Sequence, residues 1–250
     1  MAAQVRRYAI EVAYTGTRYG GFQIQANTPT IQGEVEKVLA VLFRHQFELT
    51  GSSRTDAGVH AQSNYFHVDT EFWDGIDMEQ RVYNLNALLP SDIAVRSIRE
   101  VASDWHARFS AMGRRYRYTC YRQKDPFLVD RAYFFPYRVE AARLQQAAAY
   151  LLDVRNFQTF SKRNTQVHTF DCQLTQSDWQ FEQNRFMYTV AGNRFLRGMV
   201  RGLVGTMLQV GTGKMSIERF QEIIALRDCT LADFSTPAKG LVLEGVDYRW

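Results

Sequence analysis

Cysteine is scarce in this chain of 250 residues, which has three, at positions 120, 172 and 229. An odd number of cysteines without a Cys-x-x-Cys spacing argues against a structural zinc site and favours a reducing compartment. Long apolar runs are missing too, and the first residues lack the apolar core of a secretion signal. We therefore expect a soluble, cytoplasmic protein that does not enter a membrane.

Lysine is also rare: of the 30 basic residues only 5 are lysine and 25 are arginine. The net charge of +4 is modest and by itself only tilts the chain toward a polyanionic partner. The bias toward arginine is more informative, because a guanidinium group can donate two hydrogen bonds to a phosphate and can stack on a base, which suits binding of RNA. Ordinary surface ion pairs explain the same count equally well.

Several catalytic signatures are missing. The loop at residues 15–23 is not closed by the Gly-Lys-Ser/Thr of a P-loop, and no dinucleotide fingerprint follows the first strand. His60 and His67 do not have metalloprotease spacing, and the zinc deaminase signature and the Gly-x-Ser-x-Gly elbow are absent. No second acid stands near Asp56, as a glycosidase would need. The sequence therefore predicts neither a metal nor a cofactor.

Residues 51–61 form the most informative stretch, a loop predicted between strands at residues 47–50 and 64–69. Its small residues let the backbone turn tightly and let a ligand approach, while Arg54 and Asp56 project from a loop held by rigid elements. A turn in which Asp56 merely caps its own backbone is the alternative.

The first part of the chain alternates strand and helix, which predicts an α+β fold with a mixed sheet. A connector at residues 104–113 places the boundary between two domains, 1–106 and 107–250. Pro90 ends the second helix, and Thr30 caps the first. The predicted strands are 8–14, 47–50, 64–69, 93–101, 114–122, 172–179, 185–191 and 241–248. The predicted helices are 30–44, 78–89, 139–152, 193–211 and 216–227, and residues 156–164 are predicted as a surface loop.

The strand at residues 114–122 has the densest alternation of arginine and tyrosine in the chain. Arg115 and Arg117 would share one face, and Tyr116 would lie on the other with Tyr118. Arginine beside tyrosine supplies both phosphate contact and base stacking. A half-buried strand with solvated arginines is the alternative.

The predicted helix at residues 193–211 carries Arg194, Arg197 and Arg201 on one stripe. Three neighbouring arginines repel one another unless an anion faces them, so the pattern indicates either phosphates or a carboxylate such as Asp56. A solvated charged face is the alternative. The parts that remain are one carboxylate, a set of arginines and a set of tyrosines, which suit nucleophilic or general-base chemistry on a base beside a phosphate backbone.

Residues 54–61 resemble the signature of the tRNA pseudouridine synthase A family, and the resemblance continues in order along nearly the whole chain. Ser53 departs from it, because the family usually has glycine before the arginine. A β-carbon at this position restrains the backbone slightly without abolishing activity. The other matching motifs lie at residues 14–16, 21–25, 86–93, 105–109, 115–118, 195–201 and 237–241.

The resemblance implies an α+β fold of two similar domains that share an extended mixed, mainly antiparallel sheet, with helices on one side and a central positively charged cleft. It also implies a homodimer that isomerises uridine to pseudouridine in the tRNA anticodon stem-loop, at tRNA positions 38, 39 and 40, without a cofactor. The uridine would be flipped out of its stack.

Four catalytic roles follow from the resemblance. Asp56 would be the nucleophile, and Tyr116 would stack on the uracil and help to remove its C5 proton. Arg201 would pair with Asp56 and keep it ionised, and Arg54 would take the place of the flipped base. The residues expected to contact RNA are Arg194, Arg197, Arg114, Arg115, Arg117, Arg18, Tyr19 and Gln23.

Two alternatives differ in class or target. A catalytically silent RNA-binding protein on the same scaffold would have lost Asp56, Tyr116 or Arg201, and all three are present. A base deaminase would need zinc ligands, which the sequence does not offer. A pseudouridine synthase acting at a different RNA site keeps the same residues and differs in its loops.

Overall fold

A computed structural model describes residues 4–73, 75, 77–163 and 167–250 of the chain. This part of the chain contains nine β-strands and five α-helices, and the strand pairs are mostly antiparallel, with one parallel pair among them. The prediction of an α+β fold with a mixed, mainly antiparallel sheet is confirmed. The chain divides into two compact units, Met1–Met112 with Leu243–Trp250, and Gly113–Val242.

The first unit is built on three antiparallel strands, in the order β4 (Ile93–Val101), β1 (Arg6–Tyr14) and β3 (His60–Thr70). Each strand places alternate apolar side chains on a buried face, as in Tyr8, Ile10 and Val12 of β1. The Phe22 and Phe66 rings are nearly parallel in this core, with 4.5 Å between their centres. The short strand β2 (Thr50–Gly51) pairs with β3, and the next neighbour of β3 is β9 (Leu241–Asp247), most of which belongs to this unit.

Two capped helices complete the first unit. Helix α1 (Ile31–Phe43) begins where the Thr30 hydroxyl accepts a hydrogen bond from the amide of Gly33 at 3.2 Å, as predicted. Helix α2 (Met78–Leu88) is capped by Asp77 and ends before Pro90.

The second unit contains the antiparallel strands β5 (Gly113–Tyr121), β8 (Arg185–Gly192) and β7 (Leu174–Phe181), in that order. The short strand β6 (Tyr133–Phe134), which the sequence did not predict, pairs parallel with the end of β5. The helices of this unit are α3 (Ala141–Tyr150), α4 (Met199–Gly211) and α5 (Ile217–Leu226).

The predicted start of α4 is wrong. The helix begins at Met199, not at residue 193, because Gly198 has a φ of 74° and this left-handed conformation interrupts the helical backbone. Arg194 and Arg197 therefore lie outside the helix, and the predicted stripe of three arginines on one helix does not form.

Two other predictions of local structure are also wrong. The strand expected at residues 47–50 is reduced to the two-residue β2. The segment predicted as a surface loop, whose end at Asn164 lies outside the described residues, has Phe157 and Phe160 fully buried. These rings are held inside because Phe160 packs near Phe220 of α5, with 6.3 Å between ring centres.

The first compact unit includes residues 107–112 and Leu243–Trp250. Aromatic side chains hold the end of the chain in this unit, because Tyr248 and Trp250 pack on Trp105, with ring centres 4.9 and 5.7 Å away. The division into domains 1–106 and 107–250 stays a prediction. Within the described residues, no helix is long and apolar enough to cross a membrane.

Candidate active site

The predicted loop connects β2 to β3 and holds Asp56 half-buried among buried neighbours. Ser53 and Thr55 are 5% and 8% exposed, whereas the side chain of Arg54 points to solvent and that of Asp56 is partly accessible. His60, which the sequence analysis assigned to the loop, is the first residue of β3. The loop therefore presents one carboxylate and one guanidinium group beside the buried residues Ser53 and Thr55.

Asn64 of β3 fastens this loop through its side-chain amide. Its Oδ1 accepts a hydrogen bond from the Ser53 amide at 3.2 Å, and its Nδ2 donates to the Ser53 carbonyl at 2.9 Å. The same Nδ2 lies 3.1 Å from the Tyr14 hydroxyl. Asn64 is fully buried, so these hydrogen bonds are shielded from competing water.

The segment just before Asp56 is held from the other side. The Thr55 hydroxyl is 2.8 Å from the Tyr14 hydroxyl, and the Thr55 carbonyl accepts from the Phe22 amide at 3.1 Å. Asp56 itself forms a β-bridge with Gly21, whose φ of 126° suits glycine. Thr55, the residue before Asp56, is thereby held through both its hydroxyl and its carbonyl.

The far end of the loop packs against the turn after β1. The Gly16 amide donates to His60 Nδ1 at 3.1 Å, and a β-carbon on Gly16 would lie 2.0 Å from the Val59 carbonyl oxygen. This position therefore admits only glycine without a shift of the backbone.

Ser53, the departure from the family pattern, fits its position. The residues other than glycine with positive φ in the described structure are Asn27, Arg44 and Arg227, so Ser53 has an ordinary backbone conformation. Its β-carbon therefore imposes no left-handed strain.

Asn64 and the Tyr14 hydroxyl are the functional candidates that sequence reasoning missed. A signal existed, because Asn64 has the same strand parity as Phe66 and Val68, which the alternation placed in the core. A polar amide at a core position requires hydrogen-bond partners there, and the partners turn out to be the Asp56 loop and Tyr14.

Tyr116 and Arg201 lie in the second unit. Tyr116 is in β5 opposite Val190, and its ring meets that of Phe195 edge-on with 5.0 Å between centres. Arg201, in the first turn of α4, donates from Nε to the Thr236 carbonyl at 2.7 Å and from Nη2 to that of Phe234 at 3.5 Å. These carbonyls set the plane of its guanidinium group.

The expected RNA contacts of the second unit lie on β5 and on the segment before α4. Arg115 and Arg197 are exposed, and Arg114, Arg117 and Arg194 are half-buried. Arg114 donates to the Asn193 carbonyl at 3.2 Å, a contact that brings these two segments together. Their role in RNA binding stays a prediction.

The expected contacts of the first unit are already engaged in part. Arg18 Nε and the Tyr19 hydroxyl both donate to Asp92, each at 2.7 Å. The hydrogen bond from Arg18 is the main reason that the pKa of Asp92 lies below its usual value. Tyr19 is 6% exposed, whereas Gln23 is exposed, so an RNA contact by Tyr19 is the least direct of the three.

His67 of β3 is buried in the same unit and accepts a hydrogen bond from the Ala107 amide at its Nδ1. Burial lowers its pKa to about 4. The charges of Arg7 and His106 also lower this pKa, whereas the charge of Asp69 raises it. In the unfolded chain His67 is protonated as the pH falls below about 6.5, whereas in the folded protein it stays neutral until the pH approaches 4. The contribution of His67 to stability is therefore present above about pH 6.5 and is lost as the pH falls toward 4.

We expect the free energy of unfolding to fall between pH 7 and pH 5 by about 1–2 kcal/mol more in the native protein than in His67→Asn. The asparagine oxygen can replace the Nδ1 acceptor but does not titrate, so the difference isolates His67 from the neighbouring His106. Urea unfolding at pH 7, 6 and 5 measures it. Equal pH dependence in both proteins would contradict the assignment.

The residues that the structure describes include no group of three or more His, Cys, Asp or Glu side chains placed to hold a metal ion. The chemistry available at the loop is that of a carboxylate and of guanidinium groups. Such a set can add a nucleophile to a carbon or move a proton beside a polyanionic substrate.

Comparison with known proteins shows which family the chain is similar to. A family model described as tRNA pseudouridine synthase matches residues 10–110 and 147–249. The tRNA pseudouridine synthase A of Parabacteroides distasonis is 40% identical over 244 residues, which cover 98% of this chain and 96% of that protein. Those of Porphyromonas gingivalis and Staphylococcus saprophyticus are 39% and 35% identical and cover 97% and 96% of this chain, and 97% and 90% of their own lengths. The chain belongs to the tRNA pseudouridine synthase family.

Proposed function

We propose that this enzyme isomerises uridine to pseudouridine at positions 38, 39 and 40 of the tRNA anticodon stem-loop, with Asp56 as nucleophile and without a cofactor. The observation that carries the proposal is the attachment of the Asp56 loop. Hydrogen bonds with Asn64, Tyr14 and Phe22 fix the residues before the carboxylate, while the Asp56 side chain remains partly accessible. A nucleophile held in place by a rigid support is what a covalent mechanism requires.

The reaction exchanges one glycosidic bond for another. The bond between C1′ of the ribose and N1 of uracil breaks, the freed uracil turns, and a bond forms between C1′ and C5. The proton on C5 is lost to solvent and N1 gains one, so that no oxidant or reductant is consumed. Asp56 supports this exchange by adding either to C1′ of the sugar, which displaces the uracil, or to the base, which weakens the original bond. The bond to Asp56 breaks again before the product leaves, so the carboxylate is regenerated.

Three further residues have proposed roles that rest on the family resemblance. Arg54 is exposed beside Asp56 in sequence, as a group must be that enters the stack vacated by a flipped base. Arg201 would keep Asp56 ionised, and the carbonyls of Thr236 and Phe234 hold its guanidinium in one orientation. Tyr116, steadied by the edge of Phe195, would stack on the uracil.

The setting of the reaction is proposed on the same basis. The residues proposed to contact the tRNA, in the positively charged cleft that the family resemblance implies, are Arg18, Tyr19, Gln23, Arg114, Arg115, Arg117, Arg194 and Arg197. A homodimer in the cytoplasm is the proposed form of the enzyme. The surplus of arginine over lysine supports the phosphate contacts.

Release of tritium from tRNA labelled at uridine C5 tests the function directly. We expect the native protein to release tritium from transcripts that carry uridine at positions 38–40. Transcripts in which cytidine replaces these uridines, with compensating changes in the paired strand, should release none from the anticodon arm. Tritium release that maps to another region of the tRNA would show that the enzyme acts at a different RNA site. Tight binding of tRNA without tritium release would favour a catalytically silent RNA-binding protein.

A further inference from the structure

The segment that joins β4 to β5 contains a motif that the proposed reaction does not use. Within it, Phe109 is 74% exposed, whereas Trp105, four residues before it, is 7% exposed. Exposure of a large aromatic ring is unfavourable in water. The ring therefore calls for an explanation in terms of a contact.

Phe109 projects from a tightly bonded turn. The His106 amide donates to Ser110 Oγ at 2.9 Å, and the Ser110 amide donates to the His106 carbonyl at 2.9 Å. The amides of Arg108 and Phe109 both donate to His106 Nδ1, at 3.1 and 3.4 Å. These bonds fix residues 106–110, which we term the Phe109 turn.

Two neighbouring side chains flank the exposed ring. The His106 ring centre lies 4.4 Å from that of Phe109, and the Arg108 guanidinium carbon lies 5.4 Å from it. Burial and the nearby arginines, Arg7 among them, lower the pKa of His106, so a neutral imidazole supports the phenyl ring. Arg108 is exposed and adds a cation beside the ring.

The Phe109 turn is attached to the loop that carries Asp56. The Tyr248 hydroxyl is hydrogen-bonded to Ser52 Oγ at 2.8 Å and also to the Ala107 carbonyl. Ser52 is in the Asp56 loop, and Ala107 is two residues before Phe109. One hydroxyl thus fastens both segments within the same unit.

We propose that Phe109, with Arg108 beside it, is a stacking site for an unpaired nucleobase of the RNA substrate. The inference rests on the proposed function for its ligand class and names a contact that lies outside the assigned site residues. A fixed aromatic ring with a guanidinium at its side matches what a nucleotide offers, a flat base and a phosphate. A protein partner would favour a wider apolar surface, and the side chain next to this ring is a cation instead.

Binding of unmodified tRNA by the native protein, Phe109→Ala and Phe109→Trp tests the site. We expect the dissociation constant of Phe109→Ala to rise by about 5- to 100-fold, because stacking of one base is worth about 1–3 kcal/mol. Phe109→Trp keeps a flat ring and should bind within about threefold of the native affinity. The midpoint of thermal unfolding should change little in either variant, because the ring is exposed.

Phe127→Ala is the matched control, because Phe127 is 89% exposed and no guanidinium group of the described residues lies over its ring. An equal loss of affinity in both alanine variants, or none in Phe109→Ala, would overturn the proposal. A change of oligomeric state in Phe109→Ala with unchanged affinity for tRNA would assign the ring to a protein contact instead.

The tritium assay separates this inference from the proposed function. If the native protein releases tritium and Phe109→Ala binds tRNA as tightly as the native protein, the stacking site alone fails. If the native protein binds tRNA through Phe109 and releases no tritium, the proposed reaction fails and the stacking site stands.

Discussion

Replacement of Asp56 by asparagine is expected to reduce tritium release to less than about a thousandth of the native rate, because the amide cannot act as the nucleophile. The fold should survive the change. Asparagine has nearly the same shape, and the bonds that hold the loop come from Ser53 and Thr55 rather than from the Asp56 side chain. Affinity for tRNA should be retained or improved, since the variant removes a negative charge near a polyanion.

The control for charge is Asp104→Asn, which removes one exposed carboxylate from the same unit. It should leave the rate within about twofold of native, because an exposed charge contributes little. Single-turnover measurement with enzyme in excess separates the chemical step from binding. If Asp56→Asn keeps more than a tenth of the native single-turnover rate, another group is the nucleophile.

Strands next to residues that end a helix or form a turn were predicted closely from the sequence. Strand β4 runs from Ile93 to Val101 as expected, because its alternating apolar residues follow a proline that ends the preceding helix. The same reasoning located β1 and α2. Local pattern and local geometry agree at these elements.

The errors arose where a tertiary contact or one backbone angle decided the outcome. Arg194, Arg197 and Arg201 have helical spacing, but Gly198 adopts a φ of 74° and starts the helix later. Phe157 and Phe160 stand among polar residues that suggest a surface loop, yet packing against α5 buries them. Neither effect has a signal in the spacing of residues along the chain.

The sequence motif located the candidate site, but it did not reveal the residues that hold the Asp56 loop in place. The loop with Arg54 and Asp56 was identified by its small residues and its match to the family signature. The bonds that hold it come from Tyr14, Phe22 and Asn64, which belong to other elements. Contacts between segments far apart in the chain depend on strand register, which a single sequence does not supply.

Replacement of Asn64 by alanine is expected to have the second largest effect. The change removes the hydrogen bonds of Asn64 to the Ser53 amide and carbonyl and to the Tyr14 hydroxyl, which keeps its hydrogen bond with Thr55, and should lower the free energy of unfolding by about 2–4 kcal/mol. The Asp56 loop loses its attachment to β3, so we expect kcat to fall by about 10- to 100-fold, as a displacement of about 1 Å can cause. The dissociation constant for tRNA should change little, because Asn64 is fully buried.

A loss of stability alone would not explain that pattern, and Val68→Ala provides the comparison. Val68 is on the same strand and 3% exposed, so its truncation should destabilise the fold by about 1–3 kcal/mol without touching the loop. We expect near-native kcat from Val68→Ala at a temperature where both variants are folded.

Tyr14→Phe removes the hydroxyl shared by Thr55 and Asn64 and should lower kcat as Asn64→Ala does. The double variant should lose less kcat, on a free-energy scale, than the sum of the two separate losses. Equal kcat values in Asn64→Ala and Val68→Ala would show that the amide only stabilises the fold; a selective loss in Asn64→Ala and Tyr14→Phe would show that the buried pair positions the Asp56 carboxylate for attack.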